Sequence, residues 1–104
     1  MNEMIAVLKA SGLPFAYHHF LAPPPLPYLV YYLDCEDVRD GNMLRQTEVI
    51  LELYMQSIDA LIEHHLEKLL CKYDFSKQRL YLQTEKMYLT RYAISYLRKE
   101  NNNG

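Results

Sequence analysis

Two pairs of adjacent histidines, His18-His19 and His64-His65, are the residues whose type first suggests a metal site. Neighbouring side chains on a strand point to opposite faces, and on a helix they lie about 100° apart, so neither pair can hold one ion with both rings. No histidine at i+4 and no glutamate-flanked motif completes a ligand set around either pair. We therefore expect ordinary surface or half-buried histidines and no metal site.

Three acidic residues, Asp59, Glu63 and Glu67, follow one another at i+4 spacing in a segment with helical periodicity. Like charges at this spacing repel weakly, by about 0.2–0.5 kcal/mol per pair. The simpler interpretation is a solvated helix face, and the alternative is a ridge that meets a basic surface on a neighbouring subunit or partner. Acid–base catalysis would require a cleft and shifted pKa values, which nothing in the pattern indicates.

Other catalytic motifs are also missing from the sequence. No serine or cysteine stands in a nucleophile elbow, and the three glycines form no phosphate-binding loop. Cys35 and Cys71 match no metal or redox spacing, which predicts free thiols in a reducing compartment. The Pro23–Tyr28 stretch resembles a ligand of proline-binding modules, but flanking strands favour a rigid connector. We expect neither an enzyme nor a cofactor.

The composition restricts the class of protein. A chain of 104 residues that is 50% apolar and 23% charged fits one compact domain, which we place over residues 1–100, with a disordered tail over 101–104. The net charge of −2 and the lack of a dense basic run argue against binding nucleic acid through its phosphates. No apolar run approaches about 18 residues, and no signal peptide is visible, so we expect neither membrane insertion nor export. The chain has ten tyrosines and no tryptophan. Tyrosine is suited to partly solvated sheet faces and to subunit contacts, although its β-propensity alone also explains this composition.

The first half of the chain predicts one helix and two strands. They are a helix over Asn2–Ser11, a strand over Phe15–Phe20, an extended link over Pro23–Pro27 and a strand over Tyr28–Leu33. Gly12 and Pro14 give a helix stop. The unbroken β-branched and aromatic run of the second strand predicts burial on both of its faces.

The second half predicts two further strands around a helix. They are an acidic hairpin loop over Asp34–Asn42, a strand over Leu44–Tyr54, a helix over Ser57–Tyr73 capped by Ser57, and a strand over Arg79–Leu97. The alternation changes phase at Thr84–Lys86, which indicates either a turn or a bulge. The resulting fold class is α+β, with a single, mostly antiparallel sheet, two helices packed on it and the order α-β-β-β-α-β.

One apolar stripe of the second helix carries a specific prediction. The stripe comprises Ile58, Leu61, Ile62, Leu66, Leu69, Leu70 and Tyr73, and it should lie across the sheet. We therefore expect Leu61→Asp to unfold the domain. Reversing Glu63 and Glu67 to lysine should leave folding intact and impair assembly only if the ridge is an interface.

Four segments together resemble a known family. They are Ser11–Phe20, Pro25–Tyr32, Glu52–Tyr54 and Thr84–Tyr88. In this order and spacing they are similar to the tail terminator, or tail-to-head joining, proteins of phages and prophages of Gram-positive bacteria. The Leu21–Pro27 link is more compressed and less polar than the connection expected in that family.

The resemblance implies a virion structural protein that assembles in the host cytoplasm. Its subunits would close into a ring, expected to be a hexamer, that caps the tail tube and docks to the head connector, while DNA passes through without being read. No catalytic residue transfers. The alternatives are a different phage head-closure or adaptor protein that binds a protein partner, and a small enzyme or ligand-binding domain.

A ring contact is head-to-tail and requires two unlike patches on each subunit. The candidate interface residues are Tyr54, Tyr88, Tyr92 and Tyr96 on a tyrosine-rich sheet face, and Asp59, Glu63 and Glu67 on the helix ridge. The acidic loop would face the lumen or the tube through Glu36, Asp37, Arg39 and Asp40.

Overall fold

One five-stranded mixed sheet organises the part of the chain that the computed structural model describes, residues 2–38 and 45–98. The elements are α1 (Asn2–Ala10), β1 (Phe15–Tyr17), β2 (Tyr28–Val38), β3 (Arg45–Met55), α2 (Ala60–Leu69), β4 (Asp74–Leu82) and β5 (Met87–Arg98). The strand order is β1-β2-β3-β5-β4, with β1 parallel to β2 and the other pairs antiparallel. The predicted α+β class is confirmed.

Both helices pack on the same face of the sheet, which we call the helix face. The buried residues of this core are Met4, Val7 and Leu8 of α1, Leu66 and Leu70 at α2, and Leu29, Val49, Leu51, Leu53, Met55, Tyr92 and Ile94 of the sheet. Every second side chain of β3 from Val49 to Met55 is among them. The opposite face carries neither helix, and we call it the open face.

The first helix ends as the sequence predicts. Ser11 donates its hydroxyl to the carbonyl of Leu8 at 2.6 Å and accepts the amide of Leu13 at 3.2 Å. Gly12 adopts a φ of +78°, a conformation that glycine reaches without a steric penalty. The chain therefore turns directly from α1 into the edge strand β1, which ends at Tyr17 rather than at Phe20 because His18 also has a positive φ, of 70°.

The second helix is shorter than predicted and begins at a different cap. The carboxylate of Asp59, not the hydroxyl of Ser57, accepts the amides of Leu61 at 3.0 Å and Ile62 at 3.4 Å. The helix ends at Leu69 and is followed by β4, which begins at Asp74 and not at the predicted Arg79.

The rotation of α2 about its axis also differs from the prediction. Glu63 and Leu66 are buried, whereas Leu61 is 81% exposed. Leu61 and Leu66 are five residues apart, which places them about 140° apart around a helix, so only one of them can face the sheet. The prediction that Leu61 is a core residue is wrong.

Replacing the α2 cap tests this start point. Because Asp59 satisfies two amides that otherwise lack a helical partner, Asp59→Ala should lower the free energy of unfolding by about 1 kcal/mol. Asp59→Asn keeps an oxygen acceptor and should retain most of the stability. Urea unfolding followed by circular dichroism measures both, and a neutral Asp59→Ala would contradict the cap.

The two hairpins settle the remaining expectations about the strands. The predicted Asp34–Asn42 loop is wrong over its first half, because β2 continues to Val38 after a bulge between Leu33 and Cys35. The predicted phase change at Thr84–Lys86 is a turn, closed by a hydrogen bond from the amide of Lys86 to the carbonyl of Leu82 at 2.7 Å.

The predicted tail at 101–104 lies outside the described residues. Within them, no helix is long and apolar enough to span a membrane.

Candidate interaction surfaces

An ionic cluster around a buried glutamate joins α2 to the last two strands on the helix face. Glu63 is 1% exposed, and its carboxylate accepts the hydroxyl of Thr90 at 2.6 Å and Nε of Arg79 at 3.1 Å. Arg79 makes a second contact to it through Nη2, and Nζ of Lys77 lies 3.1 Å from Oε1. We call this set the Glu63 cluster, and it fastens the helix to β4 and β5.

The cluster explains how an acid can be buried under a helix. The hydrogen bonds from Arg79, followed by those from Thr90 and Lys77, outweigh the cost of burial and lower the pKa of Glu63 to about 2. The same carboxylate raises the pKa of Arg79. Glu63 is therefore ionised and fully engaged inside its own chain.

Glu67 extends the cluster by one helical turn. Burial raises its pKa, but hydrogen bonds from Lys77 and Tyr92 prevail, and the net shift is downward. Nζ of Lys77 lies 2.5 Å from its Oε2, and the hydroxyl of Tyr92 donates to the same atom at 2.8 Å. The expected solvated ridge of three acids does not exist as such, since Asp59 caps the helix and the two glutamates bind β4 and β5.

A second polar cluster lies on the open face. Glu52 is only 7% exposed, and it accepts Nε and Nη2 of Arg91 at 3.1 and 2.9 Å, the hydroxyl of Tyr54 at 2.8 Å and that of Tyr32 at 3.3 Å. Burial, reinforced by the bond to Glu52, raises the pKa of Tyr54 well above its usual value. The Glu52 cluster joins three adjacent strands, so its role is internal cross-linking of the sheet.

The candidate tyrosines do not share one face. The register places Tyr88 opposite Met55 and Tyr92 opposite Leu51 on the helix face, whereas Tyr54 lies on the open face with Glu52 and Arg91. Tyr92 is fully buried and cannot contact another subunit. Tyr88 is half-buried beside Tyr81, with ring centroids 4.9 Å apart, and Tyr96 pairs with Thr47 in the strand register. The predicted single tyrosine face is therefore wrong.

The acidic residues of the predicted loop also lie elsewhere. Glu36 and Asp37 belong to β2, opposite Thr47 and Gln46 of β3. Arg39 and Asp40 lie outside the described residues. Glu36 and Asp37 thus lie near the end of β2, in a part of the sheet where β3 also pairs with β5.

Residues 18–27, which we call the link from here on, fold over one end of the open face, a position that sequence reasoning missed. The ring of His18 stacks on Tyr32 at 5.8 Å, and Phe20 meets Tyr28 edge-on at 5.1 Å. Between link and sheet lies a pocket of about 260 Å³, which we call the link pocket. Its lining residues are His18, His19, Phe20, Pro23, Tyr28, Val30, Tyr54, Leu82, Glu85 and Met87.

Two large apolar side chains project into solvent on opposite sides of the sheet. Leu61 on α2 is 81% exposed and borders a groove of about 180 Å³ together with Leu13 and Ile62. Leu21 in the link is 97% exposed. Leaving leucine in water at either place forgoes roughly 1.5–3 kcal/mol of burial free energy. Both positions therefore suit contact with another molecule.

Metal ligands and anion-binding side chains are the remaining kinds of candidate site. Among residues 2–38 and 45–98, no group of three or more histidine, cysteine, aspartate or glutamate side chains is placed to hold a metal ion. Lys77, Arg79 and Arg91, which could bind an anionic ligand, are instead paired with buried carboxylates. Comparison with known proteins found no matching family model and no matching curated protein.

Proposed function

We propose that this protein is a phage structural subunit of the tail terminator, or head–tail joining, type. In this proposal copies of the chain close into a ring at the end of the tail tube, stop its growth and dock to the head connector. The observation that carries the proposal is the placement of Leu61 and Leu21, two exposed apolar side chains on opposite sides of one sheet.

A ring requires two different contact surfaces on each subunit. Head-to-tail contacts bury one surface of a subunit against a different surface of the next, and a rotation that closes gives a ring. The groove beside Leu61 belongs to the helix face, and the link that carries Leu21 lies over the open face. A subunit with these two patches cannot satisfy either one by itself.

The charges also suit a channel for DNA. Phosphate affinity comes from available lysine and arginine side chains. Here Lys77, Arg79 and Arg91 are held by Glu63, Glu67 and Glu52, and the chain has a net charge of −2. The β2–β3 hairpin, with Glu36 and Asp37 near its end, is our candidate for the element that faces the lumen or the tube.

Assembly in solution and on tubes tests the proposal. Sedimentation velocity over a wide concentration range should show one closed oligomer, and negative-stain microscopy should show rings. The protein added to polymerising tail tube subunits of the same phage should shorten the tubes and appear at their ends. A monomer at every concentration that also leaves tube length unchanged would refute the function, and binding to a different partner would favour an adaptor.

A further inference from the structure

The link pocket has the composition of a receptor for a cation. Three aromatic residues of the link and sheet, Phe20, Tyr28 and Tyr54, are among its lining residues, and so is the acidic Glu85 from the β4–β5 turn. No lysine or arginine is among its lining residues. Aromatic faces attract an ammonium group through their negative π surfaces, and a nearby carboxylate adds to that attraction.

The apolar residues of the pocket favour a cation that carries a hydrocarbon chain. Val30, Leu82 and Met87 line it together with Pro23, and these side chains favour a hydrocarbon stem over a small hydrated ion. A lysine side chain combines such a stem with a charged head. The volume of about 260 Å³ accommodates a side chain rather than an element of secondary structure.

Two lysines at the end of α2 are available to fill such a pocket. Lys68 and Lys72 are four residues apart, both exposed, and neither forms an ion pair with the described residues. Nζ of Lys72 lies 5.5 Å from the ring centroid of its neighbour Tyr73, a contact with an exposed lysine that leaves its ammonium group accessible to solvent. Lys77, by contrast, forms ion pairs with Glu63 and Glu67.

The fold prevents a chain from filling its own pocket with these lysines. The pocket lies on the open face, at the sheet end where β4 turns into β5. The two lysines adjoin the first residue of β4, Asp74, at the other end of that strand and on the helix face. Any contact between the two sites must therefore join different copies, head to tail.

We propose that the link pocket receives Lys68 or Lys72 from the α2 terminus of a second copy of this chain, an inference that rests on the proposed ring function. The contact pairs an aromatic wall and Glu85 of one subunit with a lysine of the next. It assigns one pair of surfaces that the ring uses and makes the contact heterologous, as closure by rotation requires.

Charge reversal on each side tests the pairing in the full-length protein. Glu85→Lys, and separately the double variant Lys68→Glu with Lys72→Glu, should each raise the concentration for half-assembly roughly tenfold, since a buried cation–π contact contributes about that much affinity. Lys9→Glu, which reverses an exposed lysine at the end of α1, is the matched control and should assemble as the unmodified protein does. Sedimentation velocity gives the assembly concentrations, and far-UV circular dichroism checks that each variant is folded.

Mixing the two defective variants is the decisive step. The Glu85→Lys copy keeps its lysines and the lysine-reversed copy keeps its pocket, so alternating copies form one native contact and one with both charges exchanged. The mixture should therefore assemble at a lower concentration than either variant alone. No recovery, or native assembly of each variant, would overturn the pairing while leaving the ring function standing.

Two further outcomes separate the remaining explanations. If Phe20→Ala weakens assembly while the charge reversals do not, the occupant is apolar and the assignment of a lysine is wrong. If the unmodified protein stays monomeric and has no effect on tail tubes, the self-contact and the proposed function both fail.

Discussion

Leu66→Asp should unfold the domain, whereas Leu61→Asp, one helical turn and a half earlier, should leave it folded. Leu66 is 1% exposed and lies in the core between α2 and the sheet, while Leu61 is 81% exposed. Burying an unpaired carboxylate costs several kcal/mol or more, which is comparable to the whole stability of a domain of this size. At Leu61 the new carboxylate stays in water, and we expect a change in unfolding free energy within about 1 kcal/mol.

Far-UV circular dichroism and urea unfolding distinguish the two variants directly. Leu66→Asp should lose the cooperative transition, and Leu61→Asp should keep both the transition and its slope. An unfolded Leu61→Asp would favour the helix orientation expected from the sequence, in which Leu61 lies in the core, and would refute the observed one. Leu66→Ala should be less damaging than Leu66→Asp and should lower the free energy of unfolding by about 2–5 kcal/mol.

The difference between these leucines shows where sequence periodicity is informative. In β3 every second residue from Val49 to Met55 is apolar, which is the period of a strand with one face in the core, and these four side chains are all buried. In α2 the apolar residues extend around more than one side, so the stripe does not have a unique centre. The side facing the sheet includes an acid, Glu63, which a hydrophobic pattern assigns to solvent.

The partners of that acid could not be inferred locally. Glu63 and Glu67 are like charges when only α2 is considered, and their counterions come from β4, 10 to 16 residues away in sequence. The signal present in the sequence is the i, i+2 spacing of Lys77 and Arg79, which places both on one face of a strand. Pairing that face with α2 requires knowing that β4 and α2 share the helix face.

The acidic segment after Leu33 illustrates a different limit. Asp34, Glu36 and Asp37 are residues with low β-propensity, so their run predicts a loop. In the structure the pairing with β3 continues through it after a bulge, because the ladder hydrogen bonds of the hairpin outweigh the preferences of single residues. The link pocket was missed for a related reason, since its walls come from four separate segments.

Glu63→Gln should lower the free energy of unfolding by about 3 kcal/mol at pH 7. The pKa of Glu63 is about 2 in the folded protein, against 4.5 for a glutamate without its partners. A difference of that size corresponds to about 3 kcal/mol through proton linkage. Glutamine cannot replace the ionic bonds to Arg79 and Lys77, and the buried position allows little water to compensate. For the same reason the reversal of Glu63 to lysine, expected from the sequence to be tolerated, should instead disrupt folding.

The pH dependence gives this prediction a signature that a simple packing defect lacks. Because the folded pKa is the lower one, the stabilisation from Glu63 is complete above about pH 4.5 and is lost as the pH falls towards 2. The lowered pKa of Glu67 acts in the same direction. The gap in unfolding free energy between the unmodified protein and Glu63→Gln should therefore narrow from pH 5 to pH 2.5 in urea titrations, whereas the gap for Leu66→Ala, a packing defect in the core, should stay constant. A gap that stays constant over this range would mean that Glu63 contributes through packing and not through its charge.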